Sequence, residues 1–228
     1  MPTESPPTDP PILAAPTTTP QGEFSEVVYV FMRDRLNQRW FCTGTLVSPI
    51  RVVTAAHCLD TTKFVSYEIV APLAPNRPRI RAVRPASFST AYEDVANPDI
   101  GFVTLDLPLV LDHYAQLTDV GPRIDAGEAL SAAAIVRTGE LPEAPLEAAQ
   151  PEPVSSTAEL GYEHGFGTPM FTKGGDSGAG LFLIEDGKLT HKLIGVARQP
   201  DPERNVDHFS RIDAPFLAWY GEKTGGRD

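Results

Sequence analysis

The chain has 228 residues, 41% of them hydrophobic, and a formal net charge of −11. That length and composition support one large domain or two small ones, with a substantial core. The acidic balance argues against binding a nucleic-acid backbone or an anionic membrane surface, and there is no apolar run long enough to span a bilayer as a helix.

Residues 1–20 have neither the basic start nor the apolar stretch of a signal peptide. They are rich in Pro and Thr and read as an extended linker or propeptide, a tether following a removed signal or lipid segment. From Gly22 the texture changes to short strand-like runs. These cover 23–32, 39–47 and 51–55, with Ser48-Pro49 as the turn between the last two, then 64–71, 80–83 and 99–105. A lull covers 107–127, and a second series follows at 129–136, 180–184, 189–197 and 208–212. Residues 138–156, rich in Pro, Glu and Ala, read as a surface loop. A helix over 214–222 closes the chain, capped by Asp213, with Pro215 in its first turn and Phe216, Leu217 and Trp219 able to pack back. The pattern predicts an all-β fold of two antiparallel barrels, the first over about 21–110 and the second over about 120–212.

The two cysteines, Cys42 and Cys58, have 15 residues between them. As free thiols they would fit a cytosolic protein; as a disulfide they would close a loop worth roughly 3 kcal/mol. They straddle His57, which favours the disulfide and an oxidising location: secreted, periplasmic or cell-surface.

Three segments carry chemistry. Gly-Gly-Asp-Ser-Gly-Ala-Gly at 174–180 places Ser177 in a glycine-rich bend where backbone amides can crowd around a reacting atom. Such a bend also makes an ordinary tight turn. Acyl transfer needs a base for the hydroxyl proton and preorganised N–H donors for the oxyanion. Thr-Ala-Ala-His-Cys at 54–58 offers His57 as that base, at the end of a strand of small residues that would let the serine bend approach. Asp99, after Asn97-Pro98 and before an apolar strand, is a carboxylate at a barrel rim that an imidazole N–H would satisfy, or simply a turn residue.

The order His57, Asp99, Ser177, with these motifs around the outer two, resembles the trypsin/chymotrypsin family over roughly residues 22–220. The resemblance implies two six-stranded antiparallel β-barrels with a C-terminal α-helix, and a serine endopeptidase acting on polypeptides as a monomer, without metal or cofactor. It casts Ser177 as nucleophile, His57 as general base then acid, and Asp99 as the carboxylate that orients the imidazole. It makes the N–H groups of Gly175 and Ser177 the oxyanion hole, and Cys42–Cys58 the disulfide beside the histidine. The family's other disulfides are absent, as in a bacterial-type member. An α/β-hydrolase does not fit: Ala179 stands where its elbow needs glycine, and the order of partners differs. His113 and His164 read as surface residues, and no histidine pair has metal-ligand spacing.

The chain departs from the family in places. Gly180 replaces a proline, Phe171 stands where a trypsin-like enzyme holds its specificity aspartate, and Arg198-Gln199-Pro200 replaces Ser-Trp-Gly on the substrate strand. Alignment of the last strand places Asp207 on the pocket wall, where it could hold Arg or Lys, or lie solvated in a charged loop. Family activation pairs a new N-terminal ammonium with the aspartate before the serine, here Asp176, and Ile12 is the candidate terminus. A catalytically silent binding module and a surface-tethered interaction protein are the rival functions; the first usually lacks a triad member, and none is missing here.

Overall fold

A computed structural model of the protein describes residues 23–139 and 141–226. The first strand series is β1 (Val27–Asp34), β2 (Arg39–Ser48), β3 (Arg51–Thr54), β4 (Phe64–Val70), β5 (Arg79–Ser87) and β6 (Gly101–Leu105). It closes into an antiparallel barrel in the order β1-β2-β3-β6-β5-β4. β1 is buried from Val27 to Met32 without alternation. The reason is that its two faces meet two cores. Val28, Val30 and Met32 fill the first barrel, while Val27, Tyr29 and Phe31 join the apolar cluster between the barrels. A strand buried on both faces reads as a continuous apolar run, like the strands of covered sheets.

The second series is β7 (Gln116–Leu117), α1 (Gly121–Asp125), β8 (Leu130–Arg137), β9 (Leu146–Ala148), β10 (Glu152–Ser156), β11 (Gly165–Pro169), β12 (Gly180–Glu185), β13 (Lys188–Asp201) and β14 (Val206–Arg211). Antiparallel pairing runs β10-β11-β14-β13-β12-β8, and β10 pairs back onto β8, so six strands close a second barrel. β9 extends β8, and β7 adds two parallel pairs to β13. Phe166, Leu181, Ile194 and Phe209 are fully or almost fully buried inside this barrel.

The expected surface loop at 138–156 is corrected here: it contains β9 and the barrel-closing β10. β10 buries only Val154 between partly or fully exposed neighbours, so it carries almost no hydrophobic signature; its pairing is made by the backbone. β11, Gly-Phe-Gly-Thr-Pro, was not among the predicted strands for a similar reason, since its one large apolar residue is Phe166. The stretch at 107–127 holds β7 and the short α1.

The terminal helix α2 (Ala214–Thr224) forms as its sequence dictates. The Asp213 carboxylate accepts from Phe216 N–H at 2.9 Å, Pro215 lies in the first turn, and Gly225 ends the helix at φ 68°. Phe216 and Tyr220, one turn apart, bury the same helix face. They meet Phe88 and Phe102 of the first barrel with ring centroids 5.8 and 5.2 Å apart. The helix that follows the second barrel therefore clasps the first and fixes the cleft between them. No helix among the described residues is long and apolar enough to cross a membrane.

Candidate active site

His57 sits in a one-turn 3-10 helix, Ala56–Leu59, directly after β3. Cys42 of β2 and Cys58 form a disulfide, which ties that turn to the barrel wall. Asp99 lies just before β6 and is 2% exposed. Its two oxygens both serve His57: Oδ1 accepts the backbone N–H at 2.8 Å, and Oδ2 faces ring Nδ1 at 2.6 Å. Asp99 N–H in turn donates to Ser210 Oγ at 2.9 Å, which anchors the carboxylate to β14 of the second barrel. An imidazole held this way presents Nε2 outward in a fixed tautomer.

Ser177 comes from the second barrel, in the bend before β12. The bend is stitched internally by Asp176 N–H to Lys173 C=O at 3.0 Å and Ala179 N–H to Asp176 C=O at 2.8 Å. It is pinned to the first barrel by Thr43 N–H donating to Ser177 C=O at 2.8 Å. Gly178 has φ 80°, and a Cβ there would collide with Thr54 Oγ1 and the Thr43 carbonyl. Only glycine allows the bend to lie this close to β2 and β3. Gly175 has φ 88°, and a Cβ would run into the Arg137 guanidinium. The N–H groups of Gly175 and Ser177 make no hydrogen bond to an acceptor among the described residues.

His57, Asp99 and Ser177 line one open cleft of about 390 Å³, with Lys173, Gln199 and Pro200 on its second-barrel side. Ser177 and His57 are not hydrogen-bonded to each other; contacts of this kind tighten when substrate fills the cleft. A larger hollow of about 740 Å³ lies alongside, between 59–63 and 85–94, but it contains no pairing of nucleophile and base.

The other expected site residues fall as follows. Asp176 is fully buried and already holds an internal cation. Its Oδ1 faces the backbone N and Nε of Arg137 at 3.2 and 3.4 Å, and Oδ2 accepts from Lys173 N–H at 3.1 Å. Arg137 is equally buried; Nη2 donates to Gly174 C=O at 2.8 Å, and the guanidinium faces the Phe41 ring at 4.5 Å. Burial pulls the Arg137 pKa below the ordinary guanidinium value, and the facing Asp176 carboxylate opposes that shift. Ile12 lies outside the described residues.

Asp207 is 1% exposed, not solvated. Its Oδ2 accepts from Phe171 N–H at 2.6 Å and Thr172 N–H at 2.7 Å, and Oδ1 accepts from Thr172 Oγ1 at 2.5 Å. The Phe171 ring is partly buried against Phe209, with centroids 6.2 Å apart. Arg198 borders the cleft, but its guanidinium is turned to main-chain carbonyls of 92–97. Sequence reasoning missed Arg137, Ser210 and Thr43. Arg137 had a usable signal, a lone charge ending the apolar run of β8.

Comparison with known proteins gives a family and a fold. The family model described as Trypsin matches residues 17–204. A solved structure of HL collagenase superposes with a TM-score of 0.71 at 17% identity, covering 92% of this chain and 96% of that one, so the two share a fold. No curated protein matches the chain.

Proposed function

This chain belongs to the trypsin family, and on that premise we propose that it is a serine endopeptidase working through an acyl-enzyme. The observation that carries the reading is the buried Asp99 carboxylate on His57 Nδ1 at 2.6 Å, inside the cleft that Ser177 lines. In this mechanism His57 Nε2 takes the Ser177 proton as Oγ attacks the peptide carbonyl. The same nitrogen then gives that proton to the leaving amine. Water then attacks the acyl carbon as His57 takes its proton, and His57 returns that proton to Ser177 Oγ as the Oγ–acyl bond breaks and the carboxylic acid leaves. Asp99 holds the tautomer and stabilises the imidazolium, while Gly175 and Ser177 N–H groups receive the oxyanion. One such donor is worth about 3–4 kcal/mol of barrier in enzymes of this type.

Arg137 stands where family activation brings an N-terminal ammonium. We assign it as the cation that keeps Asp176 folded inward and Gly175 in place. A step through Ile12 would have to displace it. The disulfide fits an exported protein, and since one chain supplies all three groups, a monomer suffices.

The polypeptide substrate is selected without a P1 ion pair to Asp207. That carboxylate is shut from the cleft and spent on bracing Phe171 and Thr172. Digestion of a peptide library, with the new termini read by mass spectrometry, is expected to show internal cleavage without enrichment of Arg or Lys at P1. Strong enrichment of either would return Asp207 to the pocket; no cleavage of any peptide would remove the endopeptidase reading.

A further inference from the structure

Arg198 lies in β13 and is 6% exposed. A guanidinium this far from water needs a full set of acceptors. Here they are main-chain carbonyls on one segment of the other barrel. Nη1 donates to Asn97 at 2.7 Å and to Val95 at 3.3 Å, and Nη2 donates to Tyr92 at 2.6 Å and to Asp94 at 3.0 Å. The guanidinium carbon also lies 5.3 Å from the Tyr162 ring centre, and that ring stacks on His208 at 3.7 Å. Burial holds the His208 pKa below the ordinary imidazole value.

Residues 92–97 belong to no strand or helix. Their own bonds, Asp94 N–H to Ala91 C=O and Asn97 N–H to Asp94 C=O, both at 3.0 Å, make turns but do not attach the segment to the barrels. Two side-chain tethers lie at its start: Tyr92 donates to Asp60 at 2.7 Å, and the exposed Glu93 accepts from Lys63 at 3.4 Å. Pro98 follows, with no N–H to give, and then Asp99. The route of the chain into Asp99 is therefore set from Arg198 on one side and Ser210 on the other.

We propose that Arg198 is a positioning residue for the carboxylate of the triad: its buried guanidinium gathers the carbonyls of Tyr92, Asp94, Val95 and Asn97 and so fixes the segment that delivers Asp99 to His57. Four carbonyls spread over a loop suit a planar fork of donors and not the point charge of a lysine. The proposal rests on the triad reading, and one of its two readouts needs no turnover.

The test compares wild type with Arg198→Ala and Arg198→Lys by steady-state kinetics and by the low-field proton NMR signal of His57 Nδ1–H. Misplacement of a reacting group by about 1 Å costs on the order of 100-fold. The expected result for Arg198→Ala is a kcat lower by roughly 10- to 100-fold with a smaller change in KM. The His57 signal should shift or vanish, and added guanidinium ion should partly restore kcat. Arg198→Lys should fall between the two. A kcat within about twofold of wild type, or a lowered kcat with an unmoved His57 signal, overturns the proposal. Should neither variant fold, hydrogen exchange in the wild type decides. Asn97 and Asp99 amides should exchange as slowly as those of β6, and exchange at free-loop rates overturns the proposal. A wild type without turnover but with a variant-sensitive His57 signal would refute the peptidase reading and leave this one standing.

Discussion

Replacing Ser177 by alanine is expected to lower kcat by about 10⁶-fold, and His57→Ala to do nearly the same, because the pair acts as one unit and losing either removes the nucleophilic route. Their double variant should then be no worse than either single one. Asp99→Asn should cost about 10⁴-fold, since an amide on Nδ1 favours the wrong tautomer without altering the shape of the site. Kinetics on one peptide substrate across the four variants test the scheme. Additive losses in the double variant, or an Asp99→Asn enzyme within tenfold of wild type, would break the assignment of roles.

The second large effect is expected at Arg137 and Asp176. Both side chains are fully buried, and the partly exposed Lys173 ammonium, 3.7 Å from Asp176, is a second and weaker partner. Removing Arg137 leaves Asp176 with Lys173 alone, at a cost of up to about 3–5 kcal/mol. That is a large part of the 5–15 kcal/mol that typically holds a domain together. Arg137→Met should therefore lower the urea midpoint strongly. It should also lower kcat by about 10²- to 10³-fold, because Gly175 lies against the guanidinium and its N–H is one of the two oxyanion donors proposed above. Adding Asp176→Leu to Arg137→Met should recover part of the stability, since replacing a whole buried pair by apolar groups is often neutral or stabilising, but not the activity. If Arg137→Met keeps both stability and rate, the cation that matters to Asp176 is another one: Lys173, already 3.7 Å away, or an N-terminus at Ile12.

The residues that were legible in the sequence share one property. His57, Asp99 and Ser177 each sit in a local motif whose small residues or flanking strand reflect the job, and the bend at Gly178 shows why the motif is small: any Cβ would meet Thr43 and Thr54. The strands that fill the first barrel were legible because their apolar runs are dense. β10 and β11 were not, because each buries a single apolar side chain, Val154 or Phe166, and is held by backbone pairing that side-chain periodicity does not report. Arg137 and Arg198 were illegible in function for another reason. Their partners lie 39 residues away in one case and 101 to 106 in the other. A buried cation in a strand signals only that some acceptor exists; which one is a property of the fold. The surroundings of Asp207 were illegible in the same sense: its three donors come from Phe171 and Thr172, on a loop whose approach no local pattern encodes.

The central claim is that Ser177 is a nucleophile activated by His57. Labelling with a fluorophosphonate and mapping the adduct by peptide mass spectrometry tests it without knowledge of the substrate. Wild type should carry one adduct, on Ser177, and His57→Ala should carry none at the same exposure. A wild type that stays unmodified, or an adduct on another residue, would contradict the account.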